Sequence, residues 1–288
     1  MAGTSIGVLA HVWQFPVKSM LGTRLNEAPI TQRGIEGDRA FALIETASGK
    51  VVSAKNVKAF PNLFACRAAY DDAAGEAVVR ITFPDGRSIT NKSADVDAVL
   101  SDFFGRGVTL AHTAPSNFTI DEHHPDIDKD DLGPVIEAQL GSALFAKLGA
   151  PSPVPVGAFF DAFPLSILTT STLERLNTLR PQSRFDERRF RMNIVVRTNE
   201  PGFVENAWID RTLEIGESVR LRITMPDPRC VMTTLAQGDL PRDIDILRTL
   251  SVRNAIAIGG LGKKPCAGVY ATVTSGGTIR AGDDIRLA

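Results

Sequence analysis

The chain has 288 residues, 43% of them hydrophobic and 23% charged, with a formal net charge of -1 at neutral pH. That is the composition of an ordinary globular chain, long enough for two domains or one double unit. It lacks the cationic excess that holds nucleic acid or an anionic membrane, no apolar run is long enough to span a bilayer, and no basic segment precedes the short N-terminal apolar stretch, so neither nucleic-acid binding, membrane insertion nor export is expected.

Alternating or continuous apolar runs at residues 5–13, 40–45, 63–70 and 77–83 predict short strands, with Gly49 and the Pro84-Asp85-Gly86 stretch as turns. Residues 96–104, VDAVLSDFF, change to helical spacing and stop at Gly105. One helix amid strands fits a small β-barrel domain over residues 1–125. From Asp121 the composition turns acidic, with His123 and His124 and then PSPVPV, so residues 126–157 read as a partly mobile connecting segment. Residues 158–288 form a second β unit. It opens with a strand over 159–168 and a helix through Leu179, for which Ser171 and Glu174 have capping-box spacing. Strands follow at 193–197, 212–215, 219–225, 267–274 and 284–287. The fold class is mainly β with a few helices, an α+β arrangement of two barrel-like units.

Cys230 stands in MPDPRCVMTT, just past a predicted strand, where Pro226 and Pro228 are expected to stop the ladder and leave the following residues on a loop. Arg229 beside it favours the thiolate, the form that binds soft metals. Cys66 lies in an apolar run and reads as core. Cys266 follows a basic, proline-containing loop, GKKP, and local sequence leaves it a competitor of Cys230. Three cysteines this far apart, without an export signal, read as free thiols of a reducing cytoplasm.

Several cations stand where an anion could be held: Lys18 beside Ser19, then Arg39, then Arg191. Arginine offers a planar fork and lysine a point charge, so a mixed set suits a phosphorylated ligand. The hydroxyls at 169–172, ahead of a helix N-terminus, could extend such a clamp. The histidines have no zinc-ligand spacing, and neither a dinucleotide fingerprint nor a Walker loop is present.

Taken in order, FPVKS (15–19), GIEGDR (34–39), FRMNI (190–194), the pieces at 205–208 and 215–216, PRCVMTT (228–234) and the closing GTIRAGD (277–283) resemble the MOSC family across nearly the whole chain. The first part is similar to that family's N-terminal β-barrel domain, and the part from about Asp161 onward to the MOSC domain itself. The resemblance implies a molybdenum-pyranopterin cofactor between the two β units, as in the amidoxime-reducing enzymes. Cys230 would be the ligand to molybdenum. Lys18, Ser19, Arg39, Arg191, Asn193 and Arg229 would contact the cofactor, and Thr169, Thr170 and Ser171 would cradle its phosphate.

The implied activity is reduction of N-hydroxylated compounds, such as amidoximes, hydroxylamines and N-hydroxylated bases. Three scattered cysteines cannot build a four-thiolate cluster, so electrons are expected from a separate flavin, haem or iron-sulfur protein. The alternatives are a non-catalytic carrier of the cofactor, or of sulfur on Cys230, and a cofactor-free β protein with a repurposed pocket. Two departures from the family pattern stand out. Met192 occupies a place where relatives often have proline, and LAQG (235–238) replaces a commonly acidic stretch, which bears on substrate preference.

Overall fold

The computed structural model describes residues 3–71, 77–147 and 149–288. Its largest sheet has nine strands, seven of which close a barrel in the order Leu165–Thr169, Ile194–Thr198, Thr4–Gln14, Asp284–Leu287, Thr212–Ile215, Val219–Pro228, Lys263–Ser275 and back to Leu165–Thr169. The pairing of Leu165–Thr169 with Ile194–Thr198 is parallel, whereas the other barrel pairings are antiparallel. Closure removes the unpaired edges that an open sheet would present. Period-two patterning aims the apolar residues inward: Leu213 and Ile215 are buried while Thr212 and Glu214 are not, and Leu221 and Ile223 repeat the pattern. The first strand, Thr4–Gln14, sits between Ile194–Thr198 and Asp284–Leu287, so both ends of the sequence build this barrel.

A second core gathers around Phe41, Leu63, Phe64, Ile81 and Leu100. Over it lie the pair Ala42–Glu45 with Val108–Ala111, the sheet Arg67–Tyr70, Val79–Thr82 and Ser88–Thr90, and the helix Val96–Phe104. Gly105 ends that helix in the left-handed conformation at φ 64°, as its position in the sequence predicts. Val231 and Leu235 are also buried in this core. They flank the short turn Val231–Thr234 that follows Cys230, so a segment leaving the barrel plugs into the neighbouring unit and fixes Cys230 at their junction.

Elsewhere the structure differs from expectation for definable reasons. The strand predicted at 219–225 continues through Pro228, because Pro226 and Pro228 are accommodated by shifts of register against Lys263–Ser275. That partner strand contains Cys266, which pairs with Pro228 and is therefore in the sheet rather than after a loop. The strand predicted from 159 begins only at Leu165, after Pro164. The helix Thr170–Leu179 is capped by Thr169, whose side chain accepts from the Thr172 amide at 3.1 Å, not by the expected Ser171–Glu174 box. Between the two cores, Thr119–His123 pairs with Val135–Gln139 and a short helix spans Ser142–Lys147. Among the described residues, no helix is long and apolar enough to cross a membrane.

Candidate functional site

A cavity of about 250 Å³ opens where the two cores meet. Lys18, Ser19 and Lys55 reach it from the N-terminal unit, and Arg191, Arg229 and Cys230 from the barrel side. Backbone hydrogen bonds fix these segments together: Lys18 N donates to Phe41 O at 2.8 Å, Arg39 N to Phe15 O at 2.8 Å, and Phe159 N to Arg39 O at 3.0 Å.

Ser19, Arg39 and Arg191 have left-handed backbones, with φ of 64°, 46° and 56°. They are three of only five non-glycine residues with positive φ among the described residues, and all three line this cavity. Such a conformation costs about 1–3 kcal/mol per residue and persists where the surroundings enforce it, commonly at functional sites. Here Ser19 Oγ accepts from Ala54 N at 3.1 Å, and Arg191 forms the left-handed cap of the short helix Glu187–Phe190.

Five cationic side chains line the cavity, Lys18, Arg39, Lys55, Arg191 and Arg229, against two carboxylates, Asp161 and Asp227. Asp38 and Glu122 stand behind them, paired with Arg39 and Lys55, so fully ionised the set keeps a positive excess. Asp161 bridges Lys18 and Lys55. Although burial opposes it, these two ammonium groups hold the Asp161 carboxyl well below its usual range. Burial lowers Lys18 even against its pairing with Asp161. Burial and then the charge of Arg39 pull Arg191 down to about 9, which still leaves it charged at neutral pH. Arg191 Nη1 donates to Met20 O at 2.6 Å, and its guanidinium lies on the rings of Phe15 and Phe64 at 4.4 and 5.4 Å. An under-compensated cation of this kind is suited to an anionic ligand.

Of the three cysteines, Cys230 alone lines the cavity, and it is half-buried. Cys66 and Cys266 are fully buried, and burial pushes each thiol up to about 12. The local sequence left Cys266 open as a competitor, and its place in the sheet removes it from the cavity. The two threonines after Cys230 hold its turn: Thr233 Oγ1 donates to Cys230 O at 3.0 Å and Thr234 Oγ1 to Val231 O at 2.7 Å. Arg229 ion-pairs with Asp227, yet its Nε and the Asp227 Oδ1 are buried without a hydrogen-bond partner. Orphaned groups of this kind are costly unless a ligand satisfies them. Burial raises Asp227 to about 6 in spite of Arg229.

Lys18, Ser19, Arg39, Arg191, Asn193, Arg229 and Cys230 all line this one cavity. Asn193 lines the wall with its amide already engaged: it donates to Asp38 and Trp13 O and accepts from Ser166. Thr169, Thr170 and Ser171 do not line the cavity. Thr169 is fully buried and donates to Glu205 at 2.7 Å, Thr170 opens the helix, and Ser171 bonds Thr198 at 2.6 Å. The Thr169 hydroxyl caps the helix and satisfies a buried carboxylate, and the segment Asp161-Ala162-Phe163 occupies the cavity wall instead. Lys55, Asp161 and Tyr270 carried no signal in their own neighbourhoods, since only tertiary folding unites them. Arg189 was hidden beside Arg188 and Arg191. It is fully buried and donates to the carbonyls of Arg184, Leu235 and Pro241, which anchors the chain beyond Cys230.

Two β units meeting at a cavity with one accessible thiol and an excess of cationic groups define a protein able to hold an anionic ligand beside a cysteine. The chain matches the MOSC domain over residues 155–286 and the MOSC N-terminal beta barrel domain over residues 6–113. It belongs to the MOSC family. Among its relatives are the mitochondrial amidoxime reducing component 2 of Macaca fascicularis and that of Homo sapiens, each 27% identical over 97% of this chain and 83% of the relative. The mitochondrial amidoxime-reducing component 1 of Mus musculus is 25% identical over 98% of this chain and 82% of the relative.

Proposed function

We propose that the cavity holds a molybdenum pyranopterin and that the protein reduces N-hydroxylated compounds, with electrons from a separate redox protein. The observation that carries this reading is the convergence of Cys230 with five cations and an orphaned donor-acceptor pair in one cavity, in a chain whose relatives are named for amidoxime reduction.

The donor set fits the group. Cys230 offers the soft sulfur that suits molybdenum. Lys18, Arg39 and Arg191 supply charge for a phosphate, and Arg229 Nε with Asp227 Oδ1 offers a donor and an acceptor to the polar edge of a pterin. When bound, the cofactor supplies a two-electron redox centre for cleaving an N–O bond. Asn193 binds Asp38, which in turn binds Arg39, so its part is to orient the cation. Phe145, Phe163 and Leu261 give the cavity an apolar wall against which the body of a substrate can lie and from which water is excluded.

Two of the three thiols are buried away from the cavity, so the chain has no thiolate set for a cluster of its own, and an external flavin, haem or iron-sulfur donor completes the cycle. Its free thiols suit the cytoplasm. The test is Cys230→Ser in protein made by a host that synthesises the cofactor, assayed for benzamidoxime reduction with a chemical electron donor. Loss of turnover with the pterin retained is expected. Full turnover in the variant contradicts the reading, and a persulfide on Cys230 in an inactive wild-type protein points to the sulfur carrier.

A further inference from the structure

A line of ion-paired and hydrogen-bonded side chains leads out of the cavity. Lys55 Nζ lies 3.0 Å from Asp161 Oδ2 at the cavity and 3.2 Å from Glu122 Oε2 behind it. The other oxygen of the same carboxylate, Glu122 Oε1, lies 2.9 Å from His124 Nε2. The side chains of Lys55 and Glu122 are 10% and 16% exposed, whereas that of His124 is 58% exposed. Lys55, Glu122 and His124 therefore step from the cavity to solvent with no gap longer than a hydrogen bond.

The fold holds this line in place. Glu122 is on the strand Thr119–His123, which is paired along its length with Val135–Gln139, and His123 N donates to Lys55 O at 2.9 Å. The hairpin is thereby docked on the turn that carries Lys55. The adjacent His123 is buried with Nδ1 against Gly133 O at 3.1 Å and has no part in the line.

We infer that His124, Glu122 and Lys55 are a proton path from solvent to the cavity, serving the N–O cleavage proposed above and resting on that reading. Reducing an amidoxime to an amidine breaks one N–O bond and consumes two electrons and two protons. The nitrogen takes one proton, the oxygen takes the other and leaves as water, and both electrons come from the external redox protein. Each turnover therefore needs two protons brought to the cavity.

Lys55 is placed to hand them on. Its ammonium lies between Asp161 at the cavity and Glu122 behind it, within reach of both carboxylates. Glu122 and the His124 ring beyond it are placed to restore the Lys55 proton from solvent. The charged groups around the line are Asp161 and Lys18 at the cavity end, with Lys50 bridging Asp121 and Glu137 on the same hairpin.

The experiment compares His124→Ala and Glu122→Gln with the wild-type chain carrying its cofactor; His124 is exposed, so its replacement leaves the fold intact. Molybdenum content and the KM for benzamidoxime should be unchanged, while kcat falls about tenfold or more. Added imidazole should restore the rate of His124→Ala. Unchanged kcat in both variants, with molybdenum retained, overturns the path. Absence of molybdenum from the wild type overturns the underlying reading instead. In that event the NMR signals of the His124 ring still test the line in the full chain. They should move in Lys55→Met as well as in Glu122→Gln, and ring signals identical in all three proteins overturn the path.

Discussion

Arg39 Nη2 donates to the backbone oxygen of Arg191 at 3.0 Å, while the two guanidinium groups lie 4.6 and 4.4 Å from the centroid of one ring, that of Phe15. Both residues also have left-handed backbones. Two like charges are thus brought together on a strained framework, with Asp38 paired to Arg39 alone, so a further anion shared by both guanidinium groups is favoured. Inorganic phosphate or pyrophosphate should accordingly raise the Tm of cofactor-free protein, by an amount corresponding to about 2.7 kcal/mol at a hundredfold excess over Kd. Arg191→Met should abolish that rise while changing the stability of the ligand-free protein by no more than about 1–2 kcal/mol, since it removes a buried charge along with one hydrogen bond. Thermal melts with and without the anion check both statements.

The thiols differ sharply in environment. Iodoacetamide at mildly alkaline pH should label Cys230 in cofactor-free protein and spare Cys66 and Cys266, which are buried and pushed up to about 12. Peptide mass spectrometry reads the outcome directly.

Thr169 and Thr172 both donate to Glu205 at 2.7 Å, inside the protein. Thr169→Val should therefore cost about 1–3 kcal/mol by denaturant unfolding and leave cofactor content unchanged, as expected of a residue outside the cavity.

Buried carboxyls also set a pH dependence. Burial raises Glu205, and raises Asp227 from 3.8 to about 6. A carboxyl whose folded pKa is raised binds its proton more tightly when folded, so its contribution is fully present below the unfolded value and is lost as pH rises through the folded one. Asp161, held low by Lys18 and Lys55, acts in the opposite sense: its contribution is present above 3.8 and is lost as pH falls. Asp227→Asn should flatten the decline in stability between about pH 4 and pH 6, measured by urea unfolding across that range.

Arg189 donates to the carbonyls of Arg184, Thr233, Leu235 and Pro241 through a fully buried guanidinium. Arg189→Met should destabilise by more than about 3 kcal/mol, because several buried acceptors lose their donor at once. Arg189→Lys should recover only part of this, since one ammonium cannot reproduce the planar fork.

Much of this was legible in the sequence where the cause is local. The helix Val96–Phe104 declares itself by spacing and by Gly105, and the order of short motifs marks Lys18, Arg39, Arg191 and Cys230 as one set. What was not legible depends on distant partners. Pro226 and Pro228 look like strand breakers until Lys263–Ser275 is seen shifting register to receive them. The run of hydroxyls at 169–171 looks like a phosphate cradle until Glu205, far along the chain, is found beneath it. Lys55 has no distinguishing neighbours in the sequence, and only the docking of the hairpin at 119–139 and of Asp161 against it gives it a place at the cavity.

The central claim is tested most directly by elemental analysis of molybdenum together with pterin fluorescence on the intact chain, purified from a host that makes the cofactor. Stoichiometric molybdenum and pterin in the wild type, with both lost in a combined Arg39→Gln and Arg191→Gln variant that still folds, is the predicted result. A folded wild-type protein that carries neither molybdenum nor pterin would contradict the account.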